Sequence, residues 1–208
     1  MIKYIITILV ATGIAGCGLN NSKAELKKDE SCCKKDSFQV QASKEKMREK
    51  SIFQLTDSFQ TQDGNNFNLA LLNGKPTVIA MIFTHCTYAC PRITADVKNI
   101  EDSLKAAAQK VNFVLISFDT KRDTPARLKA FANEMNLNKD WVLLHGNDEA
   151  VRTLSVLLNV QYEKDSDGNF SHSNLVSVLD KFGVLQFQKE GLGEDHVETV
   201  KTIKKLIE

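Results

Sequence analysis

The chain has 208 residues and a formal net charge of +1 at pH 7, with 27 lysines and arginines against 26 acids. This length suits one domain of ordinary size with a hydrophobic core of its own. Both signs of charge are mixed along the chain, so the sequence lacks the basic surface that a nucleic-acid-binding protein needs.

The N-terminus has the pattern of a targeting segment. Lys3 precedes an apolar run from Tyr4 to Ala15, which is too short for a membrane-spanning helix of roughly twenty residues. We therefore predict a signal peptide over residues 1–17. It ends in Ile14-Ala15-Gly16-Cys17, which resembles the lipobox of bacterial lipoproteins, where the cysteine becomes the lipidated first residue. An uncleaved short anchor is the alternative.

Residues 18–50 are rich in Lys, Glu, Asp, Ser, Asn and Gln, and this composition predicts a flexible tether. The expected location of the protein is therefore extracytoplasmic, lipid-anchored to a bacterial membrane on its periplasmic or outer cell-envelope side. Cys32 and Cys33 fall within the tether. An incidental exposed pair is the favoured interpretation, and exchange of metal or disulfides with the domain is the alternative.

Residues 51–208 predict alternating strands and helices. Two short strands around the turn Gln62–Asn65 come first. The periodic spacing of apolar residues and the positions of turn residues delimit the later strands and helices. The expected strands are 51–61, 66–69, 77–83, 111–118, 141–144, 160–162, 175–179 and 184–188, and the expected helices are 92–110, one opened by Asp123-Thr124-Pro125, one from Asp148, and 194–207.

This order predicts an α/β domain with a central mixed β-sheet flanked by helices and an N-terminal β-hairpin extension. Cys86 and Cys90 lie where the first buried strand hands over to a helix, which is the layout of the thioredoxin-like fold. Their four-residue spacing lets both sulfurs face one point, and the helix N-terminus favours thiolate. Two thiolates suit a copper or zinc ion or a disulfide. A structural disulfide or two buried side chains is the alternative.

His172 is the strongest candidate for a third ligand. In a thioredoxin-like sheet the strand 175–179 runs beside the one that leads to Cys86, so the segment before it lies over the thiols. Thioredoxin-type oxidoreductases carry a cis proline there, whereas this chain has no proline after Pro125. Two thiolates and one imidazole suit Cu(I) and also hold Cu(II). For the remaining histidines we predict other positions: His85 pointing away from the thiols, His145 at a strand edge and His196 on the surface.

Three blocks together resemble the Sco/SenC family: residues 83–91 with the Cys-x-x-x-Cys-Pro signature, residues 117–125, and residues 172–183. The resemblance implies a membrane-tethered copper protein that assists assembly of the dinuclear copper centre of cytochrome c oxidase. It implies Cys86, Cys90 and His172 as copper ligands. The implied partners are the copper-bearing oxidase subunit or another copper protein, and thiol chemistry on the target's cysteines is also implied.

Two residues beside the expected ligands depart from the family pattern. Many members have Pro where this chain has Thr87, and many have Asp where it has Ser171, changes that bear on copper affinity or partner choice. Asp119 ends the second buried strand, where its carboxylate is expected to orient His172 or tune the thiols. Asp123 is interpreted as a helix cap or turn residue.

Two functions compete. A copper metallochaperone is favoured over an enzyme. The alternative is a thiol-disulfide oxidoreductase acting on extracytoplasmic protein cysteines, with Cys86 and Cys90 as its catalytic pair and a Cys86–Cys90 disulfide as its oxidised form. The three-residue spacer and the absent proline both favour metal. A peroxide-reducing enzyme is a weaker third hypothesis.

Overall fold

A computed structural model describes residues 50–208 of the chain. The predicted signal peptide, the lipobox at Cys17, the tether and the Cys32–Cys33 pair lie outside the described residues. Within residues 50–208, no helix combines the length and the apolar character needed to cross a membrane.

The described part of the chain alternates short strands with helices. Its α-helices are α1 (Ala89–Leu104), α2 (Pro125–Glu134), α3 (Asp148–Leu157) and α4 (Val197–Ile207). Its strands are β1 (Phe59–Thr61), β2 (Asn66–Phe67), β3 (Thr77–Ile82), β4 (Asn112–Ser117), β5 (Val142–His145), β6 (Tyr162–Lys164), β7 (Phe170–His172), β8 (Leu175–Leu179) and β9 (Leu185–Glu190). Short 3-10 helices cover Ile52–Gln54, Leu69–Leu72 and Lys105–Lys110.

The main sheet has the strand order β2-β1-β5-β4-β3-β8-β9. Strands β3, β4 and β5 run parallel, whereas β8 pairs antiparallel with both β3 and β9. The predicted mixed sheet is therefore confirmed. The predicted N-terminal hairpin is also confirmed, because β1 and β2 pair with each other and β1 extends the sheet at β5.

The core lies along β3 and β4. Every residue of β3 is buried, and so is every residue of β4 except Asn112. Strands covered on both faces have continuous apolar sequences rather than alternating ones. This is why the sequence located both strands correctly. The buried end of β3 is also a rigid point from which the loop of residues 83–88 begins; we call it the thiol loop because it contains Cys86.

Three boundaries differ from the predicted ones for local reasons. The predicted strand 51–61 is interrupted because the hydroxyl of Ser51 accepts a hydrogen bond from the Phe53 N–H and starts a 3-10 turn. Helix α1 begins at Ala89, so Pro91 lies within its first turn. It ends at Leu104 because Lys105 adopts a left-handed φ of 53°.

The largest difference concerns β6 and β7, which form a two-stranded sheet of their own. The predicted strand 160–162 is displaced to Tyr162–Lys164, and β7 was not predicted as a strand. Tyr162 is paired with His172 across this hairpin. The hairpin therefore carries the candidate third ligand outside the hydrogen-bonded framework of the main sheet.

Candidate metal centre

The two cysteines lie at the junction of β3 and α1. Cys86 is half-buried in the connecting loop, and Cys90 is fully buried in the first turn of the helix. The N–H of Cys90 donates to the sulfur of Cys86 at 3.3 Å, and the N–H of Phe83 donates to the sulfur of Cys90 at 3.3 Å. Both cysteines are free thiols. The loop therefore holds two sulfurs side by side with backbone donors directed at each.

His172 completes a cluster of three donor atoms. Its Nε2 lies 3.6 Å from the sulfur of Cys90. Its Nδ1 lies 3.0 Å from the carbonyl oxygen of Ser173, and because a carbonyl only accepts, Nδ1 carries the proton and Nε2 keeps its lone pair toward the sulfurs. One donor atom each from Cys86, Cys90 and His172 lies within 4.8 Å of the others.

Aromatic rings form the wall behind the imidazole. The ring of His172 lies 5.9 Å from that of Phe83 in an edge-on arrangement and 5.1 Å from that of Phe118. Phe83 and Phe118 are both buried. This wall keeps water from one side of the donor cluster and restricts how the imidazole can turn.

Burial raises the pKa of the Cys90 thiol well above its ordinary range. The hydrogen bond from Phe83 acts in the opposite direction but is the smaller effect, while the neighbouring Cys86 and the carboxylate of Asp123 add to the increase. The expectation that the helix N-terminus favours thiolate is thus wrong for Cys90 in the metal-free protein, because desolvation outweighs it. A cation beside the sulfur would supply the missing stabilisation of the thiolate.

Asp123 is a buried acceptor and not the cap of α2, so only the helix-cap part of its interpretation as a helix cap or turn residue is wrong. Its carboxylate accepts from the N–H of Thr84 at 2.7 Å, from the hydroxyl of Thr84 at 2.5 Å and from the hydroxyl of Ser117 at 2.6 Å. The cap of α2 is Thr124, whose hydroxyl accepts from the N–H of Arg127. Asp123 therefore ties the first residues of the thiol loop to the end of β4.

Contrary to the expectation, the carboxylate of Asp119 does not contact His172. The carboxylate of Asp119 is buried and accepts from the guanidinium of Arg122, three residues further on. A carboxylate that is removed from water needs such a partner, and His172 is oriented instead by the hydrogen bond that its Nδ1–H donates to the Ser173 carbonyl. Sequence reasoning interpreted Arg122 as a solvated surface charge, although the Asp119-x-x-Arg122 spacing directly after a buried strand was a signal for the pair.

The other histidines lie away from the sulfurs. His85 Nδ1 lies 3.3 Å from Asp123 Oδ1, and His145 ends β5 as predicted. A second group, His85, Asp119 and Asp123, also has donor atoms within 4.8 Å of one another, but its two carboxylates already accept from the residues named above. The surface position predicted for His196 is wrong: its side chain is 9% exposed, with Nε2 3.4 Å from Asp96 Oδ1.

A mixed sheet with two thiols at the end of its central strand and an imidazole facing them defines a thioredoxin-like domain built around a dithiol–imidazole site. A family model described as SCO1/SenC matches residues 41–208. The chain therefore belongs to the SCO1/SenC family, as the three sequence blocks predicted.

Individual relatives agree with this assignment. An SCO1 protein homolog of Bacillus subtilis (strain 168) is 36% identical over 94 residues, or 45% of this chain, and the match spans about half of that relative's length, 49%. The crystal structure of an SCO1/SenC family lipoprotein from Bacillus anthracis str. Ames is 28% identical, with a TM-score of 0.68, over 73% of this chain and 92% of that one. The structure of Bradyrhizobium japonicum ScoI with copper bound is 25% identical, with a TM-score of 0.63, over 72% and 96%.

Proposed function

We propose that the protein binds one copper ion through Cys86, Cys90 and His172. The observation that carries this proposal is the approach of two sulfurs and one imidazole nitrogen to within 4.8 Å of one another. Thiolates and imidazole are the ligands that Cu(I) prefers, and the same set accommodates Cu(II). The copper-bound ScoI relative supports the choice of metal.

The residues fit copper better than they fit a structural zinc ion. Structural zinc sites are closed by four protein ligands, whereas the cluster found in residues 50–208 brings three together. Copper(I) is stable with two or three soft ligands. The proton on Nδ1 of His172 is already engaged by the Ser173 carbonyl, so Nε2 is available as a ligand without rearrangement of the ring.

We further propose that the protein is a metallochaperone that assists assembly of the dinuclear copper centre of cytochrome c oxidase. The recipient would be the copper-bearing oxidase subunit or another copper protein. Attachment through Cys17 would hold the domain at a membrane, outside the cytoplasm. Family membership supports the role, and the lipoprotein from Bacillus anthracis supports the anchor.

Thiol-disulfide exchange is a second candidate function because the two thiols differ in exposure. The half-exposed Cys86 would attack a partner disulfide, forming a mixed disulfide and releasing one partner thiolate. Cys90 would then displace the second partner thiol and leave a Cys86–Cys90 disulfide, so the partner is reduced and this protein oxidised. Insulin reduction by the metal-free, reduced protein separates the two functions, since robust turnover that copper only inhibits would favour the enzyme.

Copper titration of the parent protein, His172→Ala and His85→Ala tests the proposed site. His85 is the matched control because it adjoins Cys86 but faces Asp123. We expect one copper per domain in the parent and in His85→Ala, with two sulfurs and one nitrogen seen by X-ray absorption, and a marked loss of Cu(II) affinity in His172→Ala. Equal Cu(II) affinity in His172→Ala and the parent would show that the three-ligand site is wrong.

A further inference from the structure

The position of His172 depends on what holds the β6–β7 hairpin against the domain. Each strand of this hairpin has three residues, and neither belongs to the main sheet. An isolated two-stranded hairpin is at best marginally stable in water. Contacts with the rest of the domain must therefore decide whether the imidazole stays beside the sulfurs.

One set of contacts is apolar and lies close to His172. The ring of Phe170 packs against those of Phe83 and Phe118 at 5.2 Å in each case, and Tyr162 stacks on Phe118 at 5.1 Å. Aromatic pairs of this kind stabilise beyond the area that they bury. They involve residues of the two strands, Tyr162 in β6 and Phe170 in β7, and not the turn between them.

The second set of contacts is polar and holds the tip of the hairpin. The guanidinium of Arg122 donates to the carbonyl of Gly168 at 2.6 Å, and its Nε donates to the buried carboxylate of Asp119. The same guanidinium lies 6.0 Å from the ring of Phe170. Arg122 thus links the end of β4 to the turn between β6 and β7, and Asp119, which is 1% exposed, fixes the direction of the guanidinium.

We propose that Arg122 is a positioning residue that holds the β6–β7 hairpin closed and so sets how long His172 stays beside the two thiols. This inference rests on the proposed function, with His172 as a copper ligand. A planar guanidinium can pair with a carboxylate and a carbonyl at the same time, whereas a lysine ammonium has no fixed fork. Release of the Gly168 carbonyl removes the polar contact at the tip of the hairpin, and the hairpin can then swing away with the imidazole.

The first test uses the full-length, reduced, metal-free protein. Cys90 is fully buried and touched by His172, so opening of the hairpin exposes its sulfur to iodoacetamide, read peptide by peptide by mass spectrometry. We expect Arg122→Gln to accelerate alkylation of Cys90 about tenfold, the factor that corresponds to the loss of one charged hydrogen bond. Arg122→Lys should fall between the parent and Arg122→Gln. Lys129→Gln, which breaks a surface pair with Asp63, is the matched control and should leave the rate unchanged.

The second test asks whether Arg122 acts through His172. Copper release to a chelator should be about tenfold faster in Arg122→Gln than in the parent, because the imidazole leaves more often. In a His172→Ala background, Arg122→Gln should cause no further acceleration. An equal acceleration in both backgrounds, or Arg122→Gln rates equal to those of Lys129→Gln, would overturn the proposal.

The two readouts separate this inference from the proposed function. If the parent binds no copper, the proposed function fails, while the alkylation rate of Cys90 still decides whether Arg122 holds the hairpin. If Arg122→Gln does not fold because Asp119 is left buried without a partner, the double variant Asp119→Asn/Arg122→Gln removes both charges. Alkylation of Cys90 at the parent rate in that folded double variant would overturn the proposal.

Discussion

Replacement of Asp123 by alanine is the sharpest test of how the thiol loop is held in place. The side chain is fully buried, and its two oxygens accept from the N–H and hydroxyl of Thr84 and from the hydroxyl of Ser117. The hydroxyl of Thr84 in turn accepts from Nε of Arg127 at 2.9 Å. The variant therefore removes the acceptor of three hydrogen bonds. Two of them come from Thr84, which lies two residues before Cys86.

The three donors do not respond equally. A buried donor left without an acceptor costs about 1–3 kcal/mol. The hydroxyls of Thr84 and Ser117 can rotate toward other acceptors, but the backbone N–H of Thr84 cannot. Relief of the burial cost of the carboxylate offsets part of the loss. We therefore expect Asp123→Ala to lower the free energy of unfolding by about 3 kcal/mol, a change that a domain of typical stability survives.

Urea unfolding of the reduced, metal-free protein, followed by circular dichroism, measures this loss. Asp63→Ala is the matched control because Asp63 is half-exposed and pairs with Lys129 at 2.8 Å, an interaction expected to contribute less than about 1 kcal/mol. If Asp123→Ala costs no more than Asp63→Ala, the buried carboxylate does not hold the loop and the reasoning is refuted. Faster alkylation of Cys86 in Asp123→Ala would locate the damage at the thiols.

Two further predictions concern the turn at Gly183 and the buried thiol. Gly183 and Gly64 have φ of 81° and 80°, but a Cβ at Gly183 would lie 2.5 Å from the ring of Phe53 while one at Gly64 meets nothing. In urea unfolding, Gly64→Ala should therefore lower the free energy of unfolding by about 1–2 kcal/mol, and Gly183→Ala should lower it clearly more. Equal losses in the two variants would contradict the steric argument. Because the folded pKa of Cys90 is raised, the thiol form stabilises the fold, and this stability is lost as the pH rises above the ordinary thiol pKa of 9.0. In urea unfolding, the free energy of unfolding should decline by up to about 1.4 kcal/mol per pH unit in the parent and in Cys86→Ala, but not in Cys90→Ala. Identical slopes in the parent and in Cys90→Ala would refute this prediction.

The features predicted correctly from sequence are those that depend on continuous burial or on local turn chemistry. The apolar runs of β3 and β4 could be located because both faces of these strands are covered. The turn between β1 and β2 could be located because Gly64 supplies a left-handed residue. The sequence also placed Cys86 and Cys90 at a strand-to-helix junction, since the end of one apolar run and a proline in the first helical turn fix that junction.

The features missed depend on contacts between segments far apart in sequence. Strand β7 has only three residues, one of them the polar Ser171, and its stability comes from pairing with β6 and from packing on Phe118. No periodicity within Phe170–His172 reveals such a partner. His196 was assigned to the surface for the same reason, because its burial depends on Asp96 of α1.

Charged residues were the least predictable because their roles depend on which of them become buried. Asp119 and Asp123 lie four positions apart and both are buried, yet one pairs with a guanidinium and the other with neutral donors. Sequence alone treats Arg122 as a solvated cation, and only the position of Gly168 gives it a second acceptor. The Asp119–Arg122 pair follows from local spacing, whereas the partner Thr84 of Asp123 and the second acceptor of Arg122 are set by the tertiary fold.

The candidate metal centre combines a rigid half with a half that is attached separately. The sulfurs are fixed by β3, by α1 and by the buried carboxylate of Asp123, all of which belong to the core. The imidazole arrives on a hairpin that shares no backbone hydrogen bonds with the main sheet. A protein that only stored a metal ion would gain from ligands that are all equally rigid. Under the proposed function the protein hands the ion on, which needs a ligand that can leave without unfolding the core. His172 is the proposed ligand whose support on the β6–β7 hairpin would allow this.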